Sequence, residues 1–152
     1  MANEHDISVV NSLITTTIDS ANGFERSAED VDAQQHKQLF SQFGQERRQV
    51  VAQLQDYVRS LGGTPNDDGS LKAELHRRWV DLRDAIQSGG DREVIEEVER
   101  GEDYIKGKYE AALADTDLAQ PTLDAIRTAY GSVRAGHDRA SQLKHNMEAA
   151  RG

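Results

Sequence analysis

The stretch IEEVERGEDYIKGKYEAAL, residues 95 to 113, decides how the rest of the chain is read. Its apolar residues Ile95, Val98, Ile105, Tyr109, Ala112 and Leu113 recur at helical spacing, which turns one face of a helix toward a core. Glu102 falls on that face. A carboxylate aimed at a core must be paired, metal-bound or protonated, because an ionised and solitary one is costly to desolvate.

The same periodicity extends outward in both directions. Upstream, Val10, Ile14, Ile18, Ala21 and Ala28, flanked by Leu13 and Phe24, predict a first helix over residues 7–30. Asn22-Gly23 interrupts its propensity, and Gly23 reads as a site of close helix approach. A very short connection, with Asp32 as the expected cap, leads to Leu39, Phe40, Phe43, Val50, Leu54, Tyr57, Val58 and Leu61 on a second helix over 33–61, closed by Gly62-Gly63. Turn formers at Pro65 to Asp68 follow. Leu71, Leu75, Trp79, Leu82 and Ile86 then predict a shorter amphipathic helix over 71–88, with Arg77, Arg78 and Arg83 on its polar face. Downstream of Gly89-Gly90 come helices over 91–114 and 121–148, the last starting at Pro121 and carrying Leu123, Ile126, Tyr130, Val133, His137, Ala140 and Met147 on one face.

Short connections make the first and second long helices antiparallel, and likewise the third and fourth, while a long crossover sets the second and third parallel. The expected architecture is therefore all-α: one four-helix-bundle domain over residues 1–152, with a helix-containing crossover of the ferritin-like kind.

Bulk properties narrow the function. The 152 residues include 30% charged residues, two prolines and no cysteine, which excludes disulfides and thiolate metal sites. A net charge of −9, with Lys and Arg scattered, argues against nucleic acid and against anionic membrane as partners. No apolar run is long enough to span a bilayer, and Met1 to Asp6 has no signal-peptide pattern, so the expected location is the cytoplasm. Gly62-Gly63 and Gly89-Gly90 lack the lysine and spacing of a phosphate loop, and no serine shares a local motif with histidine and acid.

Helical projection puts five polar residues on or near inward faces: Glu25, Glu46, Arg47, Glu102 and His137. Glu102 and His137 are best centred, Glu46 lies at the edge of its stripe, and Glu99 flanks Glu102 one turn earlier. Such a set has two readings. One is a metal site for iron or another divalent ion, with Glu46, Glu99, Glu102 and His137 as candidate ligands. A dinuclear carboxylate centre would need Glu-x-x-His on two helices, yet Gln49 stands where one histidine should be and Arg134 where one glutamate should be. Around Thr15 to Thr17 the first helix offers no carboxylate. The other reading, which the ligand count favours, is a buried ion-pair network in which Arg47, with Arg134 as a second candidate, supplies the positive charge. His36, His76 and His145 read as surface or edge residues, and His5 as part of the tail.

Gly23-Phe24 with Ala28-Glu29-Asp30-Val31, Glu46-Arg47, Leu61-Gly62-Gly63-Thr64-Pro65, Gly69-Ser70-Leu71, His76-Arg77, Trp79, Glu99-Arg100-Gly101-Glu102-Asp103, Tyr109, Ala112-Leu113 and His137-Asp138 together resemble a known group. It is the bacterial family of small four-helix-bundle proteins of unknown function placed in the ferritin-like superfamily, matched over residues 6 to 145. The resemblance implies a ferritin-like bundle and no established activity. Many members have a cysteine in the first helix where this chain has Thr17, so a thiol-dependent role is not expected here. The expectation is a non-enzymatic bundle protein with an interaction or stress-associated role and no cofactor. The alternative is a metal-binding ferritin-like protein with a degenerate carboxylate/His site. A homo-oligomer or a protein partner is compatible with either.

Overall fold

The computed structural model describes residues 3–68 and 91–151, apart from the side chains of 91–93, 144 and 147–151. Four helices account for most of them: α1 (Glu4–Asp30), α2 (Gln34–Ser60), α3 (Asp91–Leu113) and α4 (Gln120–Arg151). The boundaries agree with the periodicity to within about a turn. No strand occurs among the described residues. The expected helix over 71–88, including His76 and Trp79, lies outside the described residues.

Local chemistry explains where the helices stop. Gly62 takes a φ of 83°, the left-handed conformation that favours glycine. Its N–H donates to the Arg59 carbonyl at 2.9 Å, and the Gly63 N–H donates to the Val58 carbonyl at 3.0 Å. These two bonds form a Schellman motif. A Cβ on Gly63 would lie 2.8 Å from Ile7 Cδ1, so α1 needs glycine there as well. The expected Asp32 cap is corrected: Ala33 occupies the N-cap of α2 with no side-chain cap bond, because the extended residue before the helix falls one position later.

At the α3–α4 turn, the Asp117 N–H donates to Asp115 Oδ1 at 2.9 Å, and His5 pairs with Asp115 Oδ2 at 2.8 Å. His5 is thus a helix residue that ties α1 to this turn. The Asp115 carboxylate raises the His5 pKa, and the Asp117 N–H and then His5 lower that of Asp115. Beneath the turn, buried Asp6 of α1 accepts from the Ala119 N–H at 3.2 Å and the Thr122 hydroxyl at 2.6 Å. With its proton committed to Asp6, Thr122 accepts from Tyr57 of α2 at 2.7 Å. Asp6 therefore caps α4 from a different helix, at the end where the helix dipole favours negative charge. Asp6→Ala is expected to cost about 1–3 kcal/mol, read as a lower urea midpoint at unchanged slope, since a buried hydroxyl and an N–H lose their acceptor. A shift within error of zero would mean that this end of α4 is held by packing alone.

Neighbouring helices are antiparallel throughout. α1 meets α2 across their short turn, α1 meets α3 through His5–Asp115 at one end and Thr17–Tyr109 midway, and α4 meets α2 through Tyr57–Thr122. It follows that α2 and α3 run parallel, as the connection lengths imply. The close α1–α2 approach is at Gly44, where a Cβ would sit 3.2 Å from Glu25 Cγ and 3.6 Å from the Ala21 carbonyl oxygen. Among the described residues no helix is long and apolar enough to cross a membrane.

Two apolar clusters fill the bundle. One holds Val10, Ile14, Ile18, Val50, Leu54, Ile105, Tyr109, Ile126 and Val133, with their neighbours. The other holds Phe24, Val31, Phe40, Phe43, Val94, Ile95, Val98 and Ala140. A polar layer separates them.

Candidate functional site

That layer is built from one position on each helix. Arg47 lies between Phe43 and Val50, Glu102 between Val98 and Ile105, Gly136 between Val133 and Ala140, and Ser20 between Thr17 and Phe24. Each gap is seven residues, two helical turns, so all four positions fall at one height in the bundle. On the parallel helices α2 and α3 the layer residue stands four after the first of its two buried flanking residues. On the opposed helices α1 and α4 it stands three after, as reversal of direction requires.

Arg47 and Glu102 are 1% and 2% exposed. The guanidinium meets the carboxylate through two parallel bonds: Nη1 donates to Oε2 at 2.9 Å and Nη2 to Oε1 at 2.5 Å. Nη1 also donates to Ser20 Oγ at 3.0 Å and Nη2 to the Val133 carbonyl at 3.1 Å. The guanidinium carbon lies 5.4 Å from the Phe24 ring centroid. All four helices thus contribute to holding one cation in the core, in the planar bidentate geometry that arginine has and lysine lacks. Gly136 makes the room: a Cβ there would lie 2.5 Å from Arg47 Nη2 and 3.5 Å from Glu102 Oε1.

A second buried polar contact stands one turn away. Thr17 donates to the Leu13 carbonyl at 2.6 Å, and so accepts from the Tyr109 hydroxyl at 2.8 Å. Burial pushes the Tyr109 phenol up to about 12, against the Thr17 hydrogen bond and the charge of Arg47. Its ring stacks on Tyr130 at 6.0 Å.

The other inward candidates go elsewhere. Glu25 is exposed and pairs with Arg48 at 2.8 Å, which corrects the expectation of burial: at Gly44 the helices leave room for its stem only, and the carboxylate extends outward. Glu46 is half-buried and pairs with Arg139, whose guanidinium carbon lies 4.7 Å from the Phe43 ring centroid. Arg139 holds the second interhelical pair expected of Arg134, which is exposed. His137 is nearly buried but its Nε2 turns outward to Asp103 Oδ1 at 2.7 Å, because glycine at 136 brings Arg47 to the inner side of α4. Glu99 is half-buried one turn before Glu102. His36, expected at the surface or an edge, is buried, and His145 is exposed.

A metal centre of the ferritin-like kind does not fit these residues. Both Glu102 oxygens are engaged by Arg47, and the guanidinium takes the central volume where an ion would have to sit. Its fixed positive charge would also oppose a divalent cation at that position. Among the described residues the one group of three ligand-type side chains within reach of a common ion is His5, Asp115 and Asp117, at the α3–α4 turn. The set Glu46, Glu99, Glu102 and His137 is not brought together.

Burial pushes the Glu102 carboxyl above its usual value of 4.5, and the charge and hydrogen bonds of Arg47 pull it back to a lesser degree. The folded protein therefore keeps this proton to higher pH than the unfolded chain does. Its stabilising contribution is fully present below pH 4.5 and is lost as pH rises toward the folded value. Denaturant melts of wild type and Glu102→Gln across this range should show the wild type losing stability relative to the variant as pH rises. A relative gain would mean that Arg47 outweighs burial.

Comparison with known families matches residues 6–115 to a model described as a domain of unknown function (DUF2383). No curated protein matches the chain.

Proposed function

Since the chain belongs to the DUF2383 family, described only as of unknown function, we propose from its geometry that it is a ferritin-like bundle with no metal centre, acting non-enzymatically through its outer surface. The observation that carries this reading is the Arg47 guanidinium held by all four helices at the bundle centre, with both Glu102 oxygens engaged. A bundle oxidase needs open coordination positions at that height, and here they are taken by a covalently attached cation. The parallel run of α2 and α3 supports the ferritin-like part, because bundles of that kind have their second and third helices parallel. What remains available to a partner is the outer face of the helices.

Elemental analysis of protein expressed with added iron, manganese or zinc, followed by oxygen uptake with ferrous iron, tests the reading. Less than about a tenth of an equivalent of each metal, with no uptake above buffer, is expected. Stoichiometric metal that is lost on Glu102→Gln substitution would overturn it.

A further inference from the structure

The stretch that supplies Glu102 to the core also presents a largely exposed face. Gly101 and Gly107 are exposed in the middle of α3, and a Cβ on either would meet nothing within 4 Å. Each costs the helix about 1 kcal/mol relative to alanine. Between them Tyr104 is 62% exposed, the one large hydrophobic residue so exposed among the described residues. Lys108 Nζ stands 5.5 Å from its ring centroid, and Glu97, one turn before Gly101, receives Arg100 at 2.6 Å. At 3.6 residues per turn, Glu97, Gly101, Tyr104 and Lys108 share about 60° of arc on the helix surface.

We propose that this face pairs two copies of the chain, α3 antiparallel to α3, about a two-fold axis crossing the helix between Glu102 and Asp103. That axis sets Tyr104 of each copy over Gly101 of the other, and Glu97 of each opposite Lys108 of the other. A two-fold interface must be complementary to itself. Here it is so in shape, since a ring meets a backbone floor without Cβ, and in charge, since an acid meets a base. An axis through Tyr104 instead would set Arg100 against Lys108, two like charges. Tyrosine at the centre of a small contact is the residue type that carries binding energy, and the glycine gives it a site to fill. One helix pair buries less than the roughly 1,600 Å² of a standard interface, so the dimer is weak and concentration-dependent. The proposal is independent of what fills the bundle core.

Sedimentation equilibrium of the full chain over a wide concentration range tests it, with circular dichroism confirming that each variant is folded. The wild type is expected to show a monomer–dimer equilibrium. Tyr104→Ala, Glu97→Lys and Lys108→Glu should each weaken it about tenfold or more. The variant carrying both Glu97→Lys and Lys108→Glu should return close to wild type, because the swapped charges again face opposite signs. A wild type that stays monomeric up to about millimolar concentration would overturn the proposal, as that is the weak limit of specific association. So would a dimer that is indifferent to Tyr104→Ala, or a double charge swap no better than the single ones.

Discussion

Arg47→Met is expected to lower the free energy of unfolding by about 3–5 kcal/mol, as breaking a buried pair from one side leaves the other charge uncompensated. Glu102 would then be 2% exposed with its main partner gone, and the Ser20 hydroxyl and Val133 carbonyl would lose their donor. Glu102→Leu in the otherwise unchanged chain strands the guanidinium in the same way. Removing both partners is a different matter. The double variant Arg47→Met with Glu102→Leu joins the two apolar clusters, and its stability is expected within about 1 kcal/mol of wild type or above it. Equilibrium denaturation of the four proteins gives a coupling energy directly. Additive single-site losses would show that the pair is not the unit that matters. If instead the double variant is stable but its spectra broaden, the pair serves to fix helix register.

Gly136→Ala is the second large effect, and it depends on the first. In an ordinary exposed helix the change would help by about 1 kcal/mol. Here the new Cβ lies 2.5 Å from Arg47 Nη2, an atom pinned by both Glu102 and the Val133 carbonyl. Relief requires the guanidinium to swing away, which breaks the bidentate pair, so a net loss of about 2–4 kcal/mol is expected. In the Arg47→Met, Glu102→Leu background the obstacle is gone, and the same Gly136→Ala substitution should become neutral or stabilising. A sign change between backgrounds is a sharp outcome. The same loss in both would place the constraint in the α4 backbone and its neighbours.

Much of the site was legible in the one-dimensional pattern. Glu102 and Arg47 interrupt apolar stripes at the middle of a seven-residue gap, which marks them as inward residues at one height on parallel helices. The same gap with direction reversed also marks Gly136, between Val133 and Ala140, which carries no charge; Ser20 gives no such signal, because Ile18, Ala21 and Phe24 continue the apolar stripe past it. Asp6 and Thr122 gave no periodic signal, since their role is set by where the ends of α1 and α4 meet. Glu25 was misleading because a wheel fixes the direction of Cβ and says nothing about where a flexible stem ends, whereas Glu46, placed at the edge of its stripe, is half-buried.

The sequence by itself determined the four helices, their lengths, the turns that make them antiparallel in pairs, and the parallel relation of α2 and α3. Those follow from local preference and from hydrophobic period, which act within one segment. Tertiary structure alone decided the partners. That Arg47 takes Glu102 while Glu46 takes Arg139, that His137 faces Asp103, and that glycine must stand at 136 all depend on heights and distances between helices. Charge–charge and steric energies vary over an ångström, and no single helix contains that information.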